Sequence, residues 1–188
     1  MLEIRDLHIR FHDADHEAVR GIDLTVEKGE IMGLVGESGS GKTVTAMVIS
    51  SLMPENKASV TGQVLLDGED LLALDEKAMR QKQGSDISVV FQEPMTALNP
   101  LMPVGTQVAE VLQLKQALSK PQAWKQAVEL LATTGIPEPA RRAQSFPHQL
   151  SGGQRQRAMI AMALASSPKL LLADEPTGNL DTQSAQDV

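Results

Sequence analysis

An α/β fold built on a parallel sheet follows from three features of the sequence. The stretch Gly36-Glu37-Ser38-Gly39-Ser40-Gly41-Lys42-Thr43 fits G-x-x-x-x-G-K-[ST] and lies between an apolar segment and a helical one. A later apolar segment, Lys169 to Ala173, ends in the acidic pair Asp174-Glu175. Between them, residues 93–150 change to an all-helical pattern. A strand, a phosphate-binding loop, a helix and a later buried strand ending in acid belong to a layered α/β domain.

The elements follow in chain order. Leu2-Glu3-Ile4-Arg5 and Leu7-His8-Ile9-Arg10-Phe11 alternate apolar and polar, as half-buried strands do. After a polar loop, Ile22-Asp23-Leu24-Thr25-Val26 alternates again and stops at Lys28-Gly29, so an antiparallel sheet with one wet face is expected. Ile31 to Val35 reads as a buried strand, and Val44 to Leu52 as a helix stopped by Pro54. Val64-Leu65-Leu66 is a short strand closed by Asp67-Gly68. Residues 71–83 carry a weak helical pattern, and Ile87 to Phe91 is a β-branched strand of central-sheet type.

The helical region holds two helices before residue 150. Thr106 to Leu118 places Val108, Val111, Leu112 and Leu118 on one face. Ser119 and Pro121 open the next, in which Trp124, Ala127, Val128 and Leu131 recur at helical spacing and Gly135 with Pro137 ends the run. That spacing makes Trp124 a packing residue rather than a ligand contact. Leu150-Ser151-Gly152-Gly153-Gln154 opens a third helix, apolar all round from Ala158 to Ala165 and so expected to be buried. Lys169 to Ala173 shows no alternation, as in a parallel strand covered on both faces.

The loop at 36–43 has the composition that anion binding needs. Glycines 36, 39 and 41 let the backbone turn tightly enough for several N–H groups to converge, and the following helix adds its positive end. Lys42 would reach the β- and γ-phosphates of a nucleotide, and the Thr43 hydroxyl would bind Mg²⁺. Asp174, at a strand's carboxyl end, is placed to hold a metal-bound water, and Glu175 to orient and deprotonate an attacking one. The Gln92 amide could bind the same metal or water, or serve no role in its loop. Ser151, Gly152, Gly153 and Gln154 combine a hydroxyl, two glycine amides and a helix N-terminus, which reads either as a second anion site or as an ordinary helix cap. If it is a site, two copies facing head to tail would each cap the other's nucleotide. His8, His12 and His16 are four residues apart, but strand and loop geometry would not keep them aligned, so no metal site is expected there.

Composition removes several classes. The net charge is −7 with no basic block, which disfavours a duplex nucleic-acid binder, and 2% aromatics disfavours base stacking. The absence of cysteine leaves no disulfide framework. The opening residues are too charged for a signal peptide, and the longest apolar run, Ala158 to Ala165, is too short for a bilayer. A membrane role would therefore be peripheral.

These residues together resemble the nucleotide-binding subunit of an ATP-binding cassette transporter. Gly36 to Thr43 resembles the family's Walker A, Gln92 its Q-loop glutamine, Leu150 to Gln154 its LSGGQ signature, and Leu170 to Asp174 its Walker B. Glu175 resembles the catalytic glutamate, Asn179-Leu180-Asp181 the D-loop, and Phe11 the aromatic residue that stacks on adenine. The resemblance implies a P-loop NTPase (RecA-like) parallel-sheet core with an N-terminal antiparallel β subdomain and an inserted helical subdomain. It implies residues 1–92 as nucleotide-binding core, 93–150 as the helical subdomain contacting a permease, and 151–188 as signature helix, Walker B and D-loop. It further implies ATP and Mg²⁺, with catalytic roles for Glu175, Lys42 and Gln92 and metal contacts from Thr43, Gln92 and Asp174. Ser38, Ser40 and Asp181 would join the nucleotide contacts. Partners would be a second ATP-binding subunit in a head-to-tail dimer, transmembrane permease subunits and, indirectly, an extracytoplasmic binding protein. The expected place is the cytoplasmic face of a bacterial inner membrane.

Phe91 to Pro100, Phe146-Pro147-His148-Gln149 and Met159 to Leu164 are similar to the bacterial dipeptide, oligopeptide, glutathione and nickel importers. Peptide import is therefore the leading expectation, with nickel or another small solute as the alternative. Pro176 to Asp181 has a wording seen more in other branches. Repair and ribosomal members of the superfamily fit less well, since 44–150 leaves no room for a long coiled coil and only one cassette is seen. No residue follows Val188 to supply the family's switch histidine, so a C-terminally truncated chain is expected, able to bind ATP but turning it over poorly or acting as a dimerisation module.

Overall fold

The computed structural model describes residues 1–54, 56–90 and 97–174. They fall into two units, 1–83 and 84–188.

The first unit is an antiparallel sheet with helices. Its strands are β1 (Leu2–Phe11), β2 (Val19–Val26), β3 (Ala58–Leu66) and β4 (Glu69–Asp70), in the order β2-β1-β3-β4. The two alternating runs expected at the N-terminus are one strand with a bulge. Asp6 adopts φ 45 and the register with both neighbours shifts there, which resets the alternation between Ile4 and Leu7. Leu2, Ile4, Leu7 and Ile9 are all buried, together with Val64 and Leu66 of β3. Each such side chain contributes about 1.5–3 kcal/mol by leaving water. The polar partners on the other face, Glu3 and Arg5, make an exposed 2.8 Å ion pair instead. Helix α1 spans Lys42–Ile49 and buries Thr45, Val48 and Ile49; helix α2 spans Glu76–Lys82 and is capped by the Asp75 side chain. Lys82 ties α2 to β4 through a 2.6 Å pair with Glu69.

The second unit joins a parallel strand pair to a helical cluster. Strands β5 (Ile87–Val90) and β6 (Leu170–Ala173) run parallel, with Ile87 opposite Leu170 and Val90 opposite Ala173. A parallel pair needs a long crossover, and here the helices fill it. Helix α3 is Val104–Gln116, α4 Lys120–Thr133, the four-residue α5 Pro139–Arg142 and α6 Gly152–Leu164. Helix α3 has no side-chain cap at Pro103, so its first amides are met by the Ser145 and Ala143 carbonyls at 3.0 and 2.8 Å. Helix α4 begins with the capping box of Ser119 and Gln122. Val104, Val108, Leu112, Ala123, Ala127, Leu131, Ala158 and Ala161 form one buried core across α3, α4 and α6.

Four expectations change. Ile31 to Val35 is not a buried strand: residues 31–37 have no regular structure, and Ile31 and Val35 are 98% and 94% exposed. An apolar run becomes a strand only where a neighbour takes its N–H and C=O groups, and no strand does so among the described residues. Strand β6 is parallel as expected, but its residues alternate between half-buried and exposed rather than being covered on both faces. In α6, Ala158, Met159 and Ala161 are buried while Ile160, Met162 and Ala163 only pack partly against the core. Trp124 does pack against the core, half-buried, but the enclosed stripe of α4 is Ala123, Ala127 and Leu131 rather than one running through Trp124 and Val128.

Candidate nucleotide site

The loop at 36–43 is shaped by glycine. Gly39 and Gly41 have φ of 81 and 91, values that an L side chain resists. Gly41 caps α1 in this conformation, and a Cβ on it would sit 2.7 Å from the Ala18 carbonyl oxygen. A Cβ on Gly36 would lie 2.6 Å from Ser40 Oγ. The close approach of Gly41 to Ala18 and Val19 anchors the loop to the start of β2. Val19 pairs with Ile9 in β1, and Phe11 is two residues beyond Ile9 on the same face of that strand. Phe11 is therefore at the end of the sheet against which the loop is held, and it is half-buried.

Lys42 closes the loop on itself. Its Nζ donates to the Gly36 and Glu37 carbonyl oxygens at 2.8 Å each and to Ser40 Oγ at 3.3 Å. The ammonium thus fills the hollow that the loop encloses with its own carbonyls. Gly36, Ser38, Gly39, Ser40 and Thr43 are exposed, so the loop's outer side is open. Thr45 went unremarked in the sequence but braces the loop: it is buried, and both its N–H and Oγ1 donate to the Gly41 carbonyl at 2.9 Å. A threonine four residues after the last loop glycine was the available signal, since such hydroxyls bond back one turn.

In the second unit, Asp174 follows β6 and its N–H donates to the Val90 carbonyl at 3.0 Å, extending the parallel pairing by one residue. The acid thus stands at the carboxyl end of the strand pair, where α/β sheets bind ligands. Lys42 and Thr43 belong to the first unit and Asp174 to the second. Gln92, Glu175 and Asp181 lie outside the described residues.

Ser151 caps α6. Its Oγ accepts from the Gln154 N–H at 3.2 Å, and the Gln154 Oε1 accepts from the Ser151 N–H at 3.1 Å. The reciprocal cap engages one acceptor site of the Ser151 hydroxyl and one of the Gln154 amide oxygen. The Ser151 carbonyl accepts from Arg155 N–H. Gly152 and Gly153 supply the remaining first-turn amides, half-exposed at the positive end of a 13-residue helix.

The histidines are not gathered. His8 bonds Glu17 at 3.0 Å and Asp6 at 3.1 Å, whereas His12 bonds the Asn56 carbonyl and Ser59. No group of three metal-binding side chains occurs among the described residues. The Glu17 carboxylate, and after it Asp6, hold the His8 pKa above the usual histidine value. Among the described residues no helix is long and apolar enough to cross a membrane.

A glycine-cradled loop opening a helix, an antiparallel sheet holding its flank and a parallel strand ending in an acid define a P-loop nucleotide-binding cassette. Comparison narrows this further: residues 19–178 match the ABC transporter family, and the chain belongs to it. It is 50% identical to the oligopeptide transport ATP-binding protein OppD of Bacillus subtilis, over 96% of this chain and 51% of that one. It is 51% identical to the peptidoglycan transport ATP-binding protein YejF of Agrobacterium fabrum, over 96% of this chain and 34% of that one. The chain thus spans between a third and about half of these curated relatives. Among solved structures, the ATP-binding cassette MJ0796, a dimer in a post-hydrolysis state bound to ADP and Pi, superposes with a TM-score of 0.86 at 30% identity, covering 100% of this chain and 79% of that one. The structure of cbiO1 from Clostridium perfringens, part of the ABC transporter complex cbiONQ, gives 0.82 at 26% identity, covering 99% of this chain and 69% of that one.

Proposed function

We propose that this chain binds and hydrolyses ATP to power import of di- or oligopeptides through an ABC transporter. The observation that carries the reading is the loop at 36–43, where a side chain on Gly36 or Gly41 would collide with its neighbours, Gly39 and Gly41 hold positive φ, and Lys42 Nζ is drawn back over the loop onto the Gly36 and Glu37 carbonyls. Peptide cargo is supported by the relatives' names, oligopeptide transport for OppD and dipeptide transport for DppD of Bacillus subtilis, the latter 46% identical over 96% of this chain and 55% of that one.

On binding, Lys42 exchanges its own loop's carbonyls for phosphate oxygens. The gain is electrostatic: an ammonium paired with a phosphate dianion is worth more than one shared among neutral carbonyls. The backbone N–H groups of Gly39 to Thr43 and the dipole of α1 act on the same charge. Hard oxygen donors suit Mg²⁺, and the Thr43 hydroxyl, the Asp174 carboxylate and the Gln92 amide oxygen would be its holders. That ion, when bound, neutralises charge developing on the transferred phosphoryl group. Glu175 orients the attacking water and takes its proton. Phe11 stacks on the base. Ser151, Gly152, Gly153 and Gln154 would serve the ATP of a second subunit, and Asp181 would join the nucleotide contacts. The partners are then a second ATP-binding subunit and a transmembrane permease, with an extracytoplasmic binding protein acting indirectly. The place is the cytoplasmic face of a bacterial inner membrane.

Reconstitution of the intact protein with its permease tests this. ATP-dependent peptide uptake is expected, lost on Lys42→Ala and reduced at least about 100-fold on Glu175→Gln. Uptake of nickel with no uptake of peptides would reassign the cargo, and uptake unaffected by Lys42→Ala would overturn the reading.

A further inference from the structure

We infer that Gln156 is a positioning residue for the Gly152–Gly153 turn, acting through a water molecule held beneath that turn. The inference rests on the reading of residues 151–154 as the site for a second subunit's ATP. Gln156 lies in the second turn of α6 and is 0% exposed. Neither its Oε1 nor its Nε2 has a hydrogen-bond partner among the described residues. A carboxamide brings two donors and an acceptor oxygen with two lone pairs, and enclosing it unpaired opposes folding. An apolar side chain of equal length would avoid that penalty, and α6 buries Ala158, Met159 and Ala161 within the next five residues.

Its direction follows from helix geometry. A helical side chain leans toward the N-terminus, over the residues three and four positions earlier. For Gln156 these are Gly153 and Gly152, which have no side chains to fill the space. Around that turn the Ser151 hydroxyl and carbonyl already serve Gln154 and Arg155. Gln156 thus brings an unpaired donor and an unpaired acceptor to the first turn of the helix, which has no side chains at Gly152 and Gly153. A buried water needs a polar pocket with two to four partners, and this pair supplies them. Arg155, the next residue toward the turn, adds an enclosed Nε also without a partner among the described residues. Hydrogen-bonded in this way, the amide fixes the height and tilt of the two half-exposed glycines that open the helix. A misplacement of such groups by a fraction of an ångström acts on the reaction rather than on binding of nucleotide to the subunit's own loop.

The test uses the intact protein. Gln156→Met keeps length and burial but removes polarity, and Gln156→Asn keeps the amide one methylene shorter. Steady-state ATP hydrolysis and thermal melting are measured on both and on the parent. Gln156→Met is expected to lower kcat at least about fivefold, with KM for MgATP within about twofold and the melting temperature unchanged or raised. Gln156→Asn is expected to recover at least about half of the parent kcat. A smaller kcat change in Gln156→Met overturns the inference. So does a loss accompanied by a fall in melting temperature, which marks a packing role, or a loss expressed only in KM. A parent protein that neither binds nor hydrolyses MgATP would defeat the functional reading itself; an active parent with an equally active Gln156→Met defeats this inference alone.

Discussion

Lys42 Nζ is held by three acceptors, two of them backbone carbonyls, so its place depends on the loop's own fold. Lys42→Met keeps the length of the stem and removes the charge, and the loop should keep its glycine geometry because Gly39 and Gly41 set it. His8 carries a different prediction. Its pKa in the folded state is raised, by Glu17 first and Asp6 second, above the value of about 6.5 for a free histidine. A raised value means that the folded state binds the proton more tightly than the unfolded chain. The stabilisation is complete below the unfolded pKa and disappears as pH rises through the folded one. Urea midpoints measured from about pH 6 to about pH 8 should therefore fall for the parent relative to Gln at position 8, in the variant His8→Gln. Equal slopes for the two proteins would contradict it.

The bulge in β1 and its partner in β3 form a matched pair. Asp6 sits at φ 45 and Gly62 at φ 101, and a Cβ on Gly62 would overlap the Asp6 and Arg5 carbonyls. Gly62→Ala should cost at least about 2 kcal/mol in denaturant unfolding, since it adds both a steric clash and a strained φ. Gly68→Ala is a control: its φ is also positive, but nothing lies within 4 Å of the added atom, so its cost should be about 1 kcal/mol. The β1 bulge was not legible in the sequence, where the reset of alternation looked like a break between two strands. Periodicity records which face a residue takes, not whether the chain is continuous. The phosphate loop was legible because its spacing encodes a local backbone shape that needs no distant partner. Helix α4 was legible through Ser119, Pro121 and Gly135, although its enclosed stripe runs through Ala123 rather than Trp124. Segment 31–35 and the covering of β6 were misread because burial of a central strand depends on neighbours far along the chain. Gln156 gave no periodic signal and only its enclosure marks it, whereas Thr45 was marked by its spacing of four residues after Gly41 and is confirmed by its bond to that carbonyl.

The helical core of the second unit encloses Leu112 completely, with 0% exposure. Leu112→Ala should lower stability by about 3 kcal/mol, the transfer and cavity terms combined. It is not among the proposed ATP contacts, so nucleotide affinity should be unchanged below the unfolding transition. The whole account depends on nucleotide occupying the loop at 36–43. Calorimetric titration of the intact protein with MgATP, beside Lys42→Met, addresses that point directly. The expected result is saturable binding by the parent and an affinity at least about tenfold weaker in the variant, because an ammonium–phosphate contact is lost. Equal affinity in the two proteins, or no binding by the parent, would contradict the assignment of this loop as the phosphate site.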